Sequence, residues 1–259
     1  MKGIKAHSHQ DRSRVIEEMI PLIRKKFGSD LTALAAQGSY ARGEDGPYSD
    51  LELIAFLKKM PKGETVSDMA KIRDGMLVEL TWTTREKYLQ STIDVNDDWF
   101  LSGSDILLSI INREYIANLK TYQAKRVKEN CLKYAAQRFY EVQECATKLL
   151  NAIEDDNLEN IGLLAHTTFR YMLEMLSFLN QTPYKALSRF VTEAAQLPMK
   201  PDGFDELTKL MVEGDCRNLP RLKEAVTVVF EGFEELFEDL GVELYYDNVD
   251  PNRPMRDLS

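Results

Sequence analysis

Apolar residues recur at helical spacing between Asp11 and Phe27, where Val15, Ile16, Met19, Ile20 and Ile23 share one stripe. The spacing predicts an amphipathic helix that Pro21 bends or locally breaks, because proline lacks a backbone donor and crowds the preceding turn. Gly28-Ser29-Asp30 closes it. The period then changes. Leu31 to Gln37 reads as a short strand rich in small residues, and Gly38 to Ser49, with Gly38, Gly43, Gly46 and Pro47, as a loop. Asp50 to Leu57 reads as a second strand, and its continuous apolar run after Glu52 indicates a buried position. Pro61 and Gly63 mark a turn region. Met76 to Trp82 alternates Met76, Val78, Leu80 and Trp82 with Leu77, Glu79 and Thr81, the mark of a third strand.

After about Ser102 the character shifts. A long helical pattern without Pro or Gly follows Asn112 and continues to Asp155. Further helices are expected over Asn157 to Leu179, Tyr184 to Ala195, Phe204 to Glu213 and Leu219 to Leu240. The layout is an α/β domain over 1–112 and an all-helical domain over 113–259. Repeats and low-complexity segments are absent, and the tail from Asp247 to Ser259, with Pro251 and Pro254, reads as extended or loose.

Composition narrows the partners. A formal charge of −9 repels phosphate backbones, which argues against a polymerase or any general nucleic-acid binder and suits a cationic small molecule. Cys131, Cys145 and Cys216 are odd in number and far apart, so neither a zinc site nor a disulfide framework is indicated. The polar stretch Met1 to Arg14 has no apolar run with a cleavage site, and Leu51 to Leu57 is far too short for a bilayer. No membrane association is expected, and a reducing cytoplasm is the simplest location.

The densest chemistry lies between the first two strands. In Gly38-Ser39-Tyr40-Ala41-Arg42-Gly43, a strand runs into a Gly-Ser turn whose backbone N–H groups and hydroxyl can approach phosphate oxygens. Arg42 can add a charge-assisted contact. Taken alone, such turns are common. In Ser49-Asp50-Leu51-Glu52 the two acids stand two apart on a strand and project from one face. Paired carboxylates repel unless cations sit between them, and magnesium favours one or two carboxylates plus substrate phosphates. Glu79 adds a third acid between the apolar Val78 and Leu80, where it needs a partner. Any one of these acids is ordinarily a strand cap or a solvated residue; the set behind Gly38-Ser39 reads as a metal site.

These segments, GSYARGEDGPYSDLEL, VELTW and ECATKLLN, resemble the kanamycin nucleotidyltransferase family, aminoglycoside 4'-O-nucleotidyltransferases of the DNA-polymerase-β-like superfamily. Gly-Ser, Asp-x-Glu and a third acid on a later strand match the superfamily pattern, and Asp45 to Asp50 (DGPYSD) is more specific to the family. Asp98-Trp99, Thr192-Glu193-Ala194 and Gly203-Phe204-Asp205 extend the resemblance into the helical part. Where the family has His-Gly-Gln after the tryptophan, this chain has Gly103-Ser104-Asp105.

The resemblance implies an α+β fold, a polymerase-β-like domain of mixed sheet and helices followed by an up-and-down helical bundle. It implies Mg2+ held by Asp50, Glu52 and Glu79, with ATP as donor bound at Gly38, Ser39, Arg42 and Ser49. Glu144 is the implied general base and Lys148 the implied α-phosphate contact; i, i+4 spacing puts them on one helix face, as it would for an ordinary exposed salt bridge. Glu141, one turn earlier, is the rival base or an amine ligand. Asp97, Asp98, Glu141 and Glu193, with Glu79 on the acceptor side, are candidates to line a pocket for a cationic acceptor. A homodimer with the site near its interface is also implied. A lincosamide or other hydroxylated acceptor, and transfer to a protein by an antitoxin-like enzyme, are the alternatives. His166 and the Met172, Met175, Leu176 stripe read as helix packing, with a subunit interface as the other place for the methionines. The His7-x-His9 pair is weak ground for a metal.

Overall fold

Ser8 starts the first helix by a reciprocal cap: its hydroxyl accepts from the Asp11 N–H, and the Asp11 carboxylate accepts from the Ser8 N–H. In the computed structural model, residues 3–63, 67–93, 95–103, 106–119 and 127–244 are described. The expected extended tail, and Ser104 and Asp105, lie outside them. Helix α1 (His9–Phe27) runs unbroken through Pro21, contrary to a local break. Pro21 and Glu17, whose carbonyl loses its partner there, are both exposed, so water can take the missing bond.

The chain divides into two compact units. The first holds Met1–Asp94 and Ser104–Lys125, the second Val95–Gly103 and Arg126–Ser259. The first is a mixed five-stranded sheet built from β1 (Leu31–Gln37), β2 (Leu51–Leu57), β3 (Ser67–Arg73), β4 (Met76–Thr84) and β5 (Leu108–Ile111). Their order is β3-β4-β2-β1-β5, with β2 and β4 parallel and the other pairs antiparallel. Ile16, Met19, Ile23 and Phe27 of α1 pack against Leu34, Ala36, Leu51, Leu53, Val78 and Leu80 on one face. Ala33, Ala35, Ile54 and Phe56 pack on the other, against Leu107 and against Ile116 and Leu119 of α4 (Arg113–Leu119). Short helices α2 (Gly38–Arg42) and α3 (Arg85–Ile93) follow β1 and β4.

The second unit is helical: α5 (Val127–Glu154), α6 (Leu158–Leu179), α7 (Phe190–Ala194), α8 (Phe204–Glu213) and α9 (Leu219–Asp239). Phe139, Met172, Met175, Leu176, Phe178, Phe233 and Phe237 form its core, which settles the methionine stripe as interior. The segment Val95–Gly103 belongs to this core: Trp99 stacks on Phe178, and the Tyr184 N–H donates to the Phe100 carbonyl at 2.7 Å. Gly103 donates back to Tyr184, and a Cβ there would stand 2.2 Å from the Pro183 carbonyl oxygen, so only glycine fits. Among the described residues no helix is long and apolar enough to cross a membrane.

Candidate active site

β1 delivers Gly38 beside the acids of β2. Gln37 pairs with Glu52 in the antiparallel register, and Gly38 turns into α2 with φ of 67°. A Cβ on Gly38 would lie 1.6 Å from Glu52 Oε2. The Glu52 carboxylate therefore lies against the backbone of the Gly-Ser turn, a place that exists because residue 38 has no side chain. The stretch Gly38–Arg42 is a helical turn where a loop was expected; Gly43 ends it in the left-handed region and donates to the Ser39 and Tyr40 carbonyls.

The parallel register sets Glu52 directly opposite Glu79, and Leu51 opposite Val78. Leu51, Leu53, Val78 and Leu80 are buried on the α1 face, so Glu52 and Glu79 share the opposite face, both half-buried. Asp50, two residues before Glu52, is likewise half-buried. Three hard oxygen donors on neighbouring positions are the chemistry that magnesium accepts. Among the described residues, however, no three His, Cys, Asp or Glu side chains are grouped closely enough to hold a metal ion.

Arg42 and Ser49, expected on the phosphate side, are engaged locally. Arg42 Nε donates to Glu44 Oε2 at 2.9 Å, and Ser49 Oγ accepts from the Gly46 N–H at 3.0 Å, closing the Gly46–Ser49 turn just before Asp50.

The apolar pattern missed Arg12, which is polar yet fully buried on the inward face of α1. Its guanidinium donates to the carbonyls of Ser49 (2.6 and 3.1 Å), Gly46 (2.8 Å), Pro47 (3.4 Å) and His7 (3.1 Å), and to Asp45 Oδ2 (3.1 Å). A buried cation without partners would be very costly, and this one is surrounded by acceptors. His9 Nδ1 meets Asp45 Oδ1 at 2.7 Å while its ring stacks on Tyr40, and Ser13 Oγ meets the Tyr40 hydroxyl at 2.9 Å. His9 thus braces the loop at Asp45. The signal available in sequence was an arginine on the same helical face as Ile16, Met19 and Ile23.

In the second unit, Glu144 and Lys148 of α5 form an exposed pair at 2.6 Å. The Glu144 hydrogen bond and charge raise the Lys148 pKa and keep it protonated. Glu141, on the same helix, is half-buried, and Asp98 is exposed beside the docked Trp99. Asp97 is bound to Arg138 at 3.0 Å, and Arg138 also reaches the buried Glu174 at 2.9 Å. The Arg138 Nε–H is not aimed at that carboxylate, so the contact is one of charge more than a hydrogen bond. Glu193 accepts from the Lys185 N–H at 2.8 Å and thereby closes a loop. Burial raises the Cys131 thiol to about 12, which leaves it no part in nucleophilic chemistry near neutral pH.

Aminoglycoside nucleotidyltransferases (4') of a Bacillus species and of Staphylococcus aureus are each 23% identical to the chain over 255 residues, covering 93% of it and 96% of their own length. A putative protein adenylyltransferase of Methanocaldococcus jannaschii is 38% identical over 50 residues, covering 19% of this chain and 34% of its own. A solved nucleotidyltransferase-like protein from Exiguobacterium sibiricum covers 86% of the chain and 75% of its own, at 13% identity and a TM-score of 0.46. The chain is a nucleotidyltransferase. Residues 113–243, just over half of its length, match the KNTase C-terminal domain, and the chain belongs to that family.

Proposed function

We propose that the protein transfers AMP from Mg-ATP to a hydroxyl of an aminoglycoside-like antibiotic and releases pyrophosphate. The observation that carries this reading is the near full-length match to two aminoglycoside 4'-nucleotidyltransferases. Gly38 seated against Glu52, with Glu79 in register, supports it from the fold. The net charge of −9 favours a polycationic acceptor.

Asp50, Glu52 and Glu79 would hold the magnesium, which when bound neutralises charge at the entering and leaving oxygens. The Gly38-Ser39 backbone, Ser49 and Arg42 hold the triphosphate, with Arg42 exchanging Glu44 for phosphate. Glu144 takes the proton of the acceptor hydroxyl, and Lys148 steadies the α-phosphate. The hydroxyl oxygen bonds to the α-phosphorus as the bond to the β-phosphate oxygen breaks, and pyrophosphate leaves. These groups act mainly by positioning and charge. Asp98 and Glu141 bind acceptor amines, and the active species is a homodimer with each site near the interface.

Pyrophosphate release with Mg-ATP against a panel of aminoglycosides and lincosamides tests this. Turnover with kanamycin that vanishes in Asp50→Asn supports it; Mg-ATP binding without turnover on any panel member rejects it. The short match to a putative protein adenylyltransferase favours a second reading, AMP transfer to a protein hydroxyl. It covers a fifth of the chain where the aminoglycoside relatives cover nearly all, and labelled ATP would reveal protein-bound AMP directly.

A further inference from the structure

We propose that Arg12 is a positioning residue for nucleotidyl transfer, acting through the 45–49 turn to fix Asp50. This rests on the reading of Asp50 as a metal ligand. Asp50 leaves the turn at the Ser49 carbonyl, and that carbonyl accepts two Arg12 N–H groups, at 2.6 and 3.1 Å. Gly46, Pro47 and Asp45, three of the other four residues of the turn, are held by the same guanidinium. A planar fork can bind diverging acceptors at once; a lysine ammonium in its place cannot reproduce the set. Arg12 stands in the first turn of α1, whose start is capped reciprocally by Ser8 and Asp11. The Pro47 carbonyl also accepts from the His7 N–H at 2.7 Å, and His7 Nε2 reaches the Asp74 carbonyl at 3.1 Å. The segment ahead of α1 thereby ties the turn before β2 to the β3–β4 turn, which leads into the strand bearing Glu79.

A ligand carboxylate held on a loose loop loses the orientation that metal binding needs, and loss of a partner orienting a ligand typically costs 10-fold or more in metal affinity. Arg12→Lys is tested by Mn2+ affinity of the nucleotide-free protein (electron paramagnetic resonance) and by amide exchange of 44–52. The result expected is Mn2+ binding about tenfold weaker and faster exchange of that segment, with the acceptor KM little changed. Met19→Ala, which removes packing of α1 on the sheet without touching the turn, is the control for general destabilisation. Arg12→Lys that is folded and binds Mn2+ like wild type overturns the proposal, as does an equal loss of Mn2+ affinity in Met19→Ala. Where Arg12→Lys does not fold, Asp45→Asn takes its place with the same expected and overturning results. Wild type that binds no Mn2+ overturns the metal reading of Asp50 itself, and the proposal with it.

Discussion

Gly38 and Glu52 occupy one another's space: the carboxylate oxygen stands where a side chain at residue 38 would begin. Gly38→Ala therefore meets two obstacles, the clash and a φ of 67°. The left-handed backbone alone costs about 1–2 kcal/mol. The variant is expected to melt below wild type and to lose about 100-fold or more in turnover, since Glu52 must move. Thermal unfolding and pyrophosphate release measured on one preparation check both. Wild-type turnover would show that Glu52 has no fixed role.

Asp50→Asn, Glu52→Gln and Glu79→Gln each remove one of three acids, two in register on the sheet and one just before β2. Turnover should fall by about 100-fold or more in each, without loss of melting temperature, because relieving like charge does not destabilise the fold. A large drop in melting temperature would assign that acid a structural role instead.

Glu144→Gln and Glu141→Gln separate base from ligand. Loss of a general base costs about 10²–10⁴-fold in kcat, expected for Glu144→Gln, whereas Glu141→Gln should act mainly on the acceptor KM. If Glu141→Gln is the inactive one and Glu144→Gln turns over normally, the base lies one helical turn earlier.

Burial raises the pKa of Glu174 above its ordinary 4.5, against the opposing pull of Arg138 and Arg170. The folded state then binds this proton more tightly than the unfolded chain. Its contribution to stability is full below about pH 4.5 and is lost as pH rises through the raised value. Glu174→Gln lacks that loss, so its melting temperature relative to wild type should increase from pH 4 to pH 7. The opposite slope would mean that the two arginines outweigh burial.

Elements with a clear apolar period were legible from the sequence. α1, β1, β2, β4, α6, α8 and α9 lie close to where the pattern places them, the helices and β4 by a periodic apolar face and β1 and β2 by continuous apolar runs buried on both sides. β3 was hidden: Ser67–Arg73 is a polar edge strand, with Ile72 exposed, and its identity comes from pairing with β4. β5 is too short for a period, and Phe190–Ala194 is a shorter helix than the pattern suggests. At the site, spacing alone put Asp50 and Glu52 on one face, but the Glu52–Glu79 register and the Gly38 contact are products of strand pairing. Arg12 shares the helical face of Ile16, Met19 and Ile23, but the carbonyls that satisfy its guanidinium come from a loop that no apolar period places there.

The docking of Val95–Gly103 into the helical unit has a consequence for anyone building chimeras within this family. The helical module is not the product of one contiguous stretch of gene: its Trp99–Phe100 plug is encoded upstream of β5, which belongs to the sheet. A graft that takes only the matched region from residue 113 onward strips Phe178 of its Trp99 and Phe100 contacts and the Tyr184 N–H of its Phe100 acceptor. Exchange of helical modules between relatives therefore has to be cut as two pieces, with the short upstream one travelling alongside the long one.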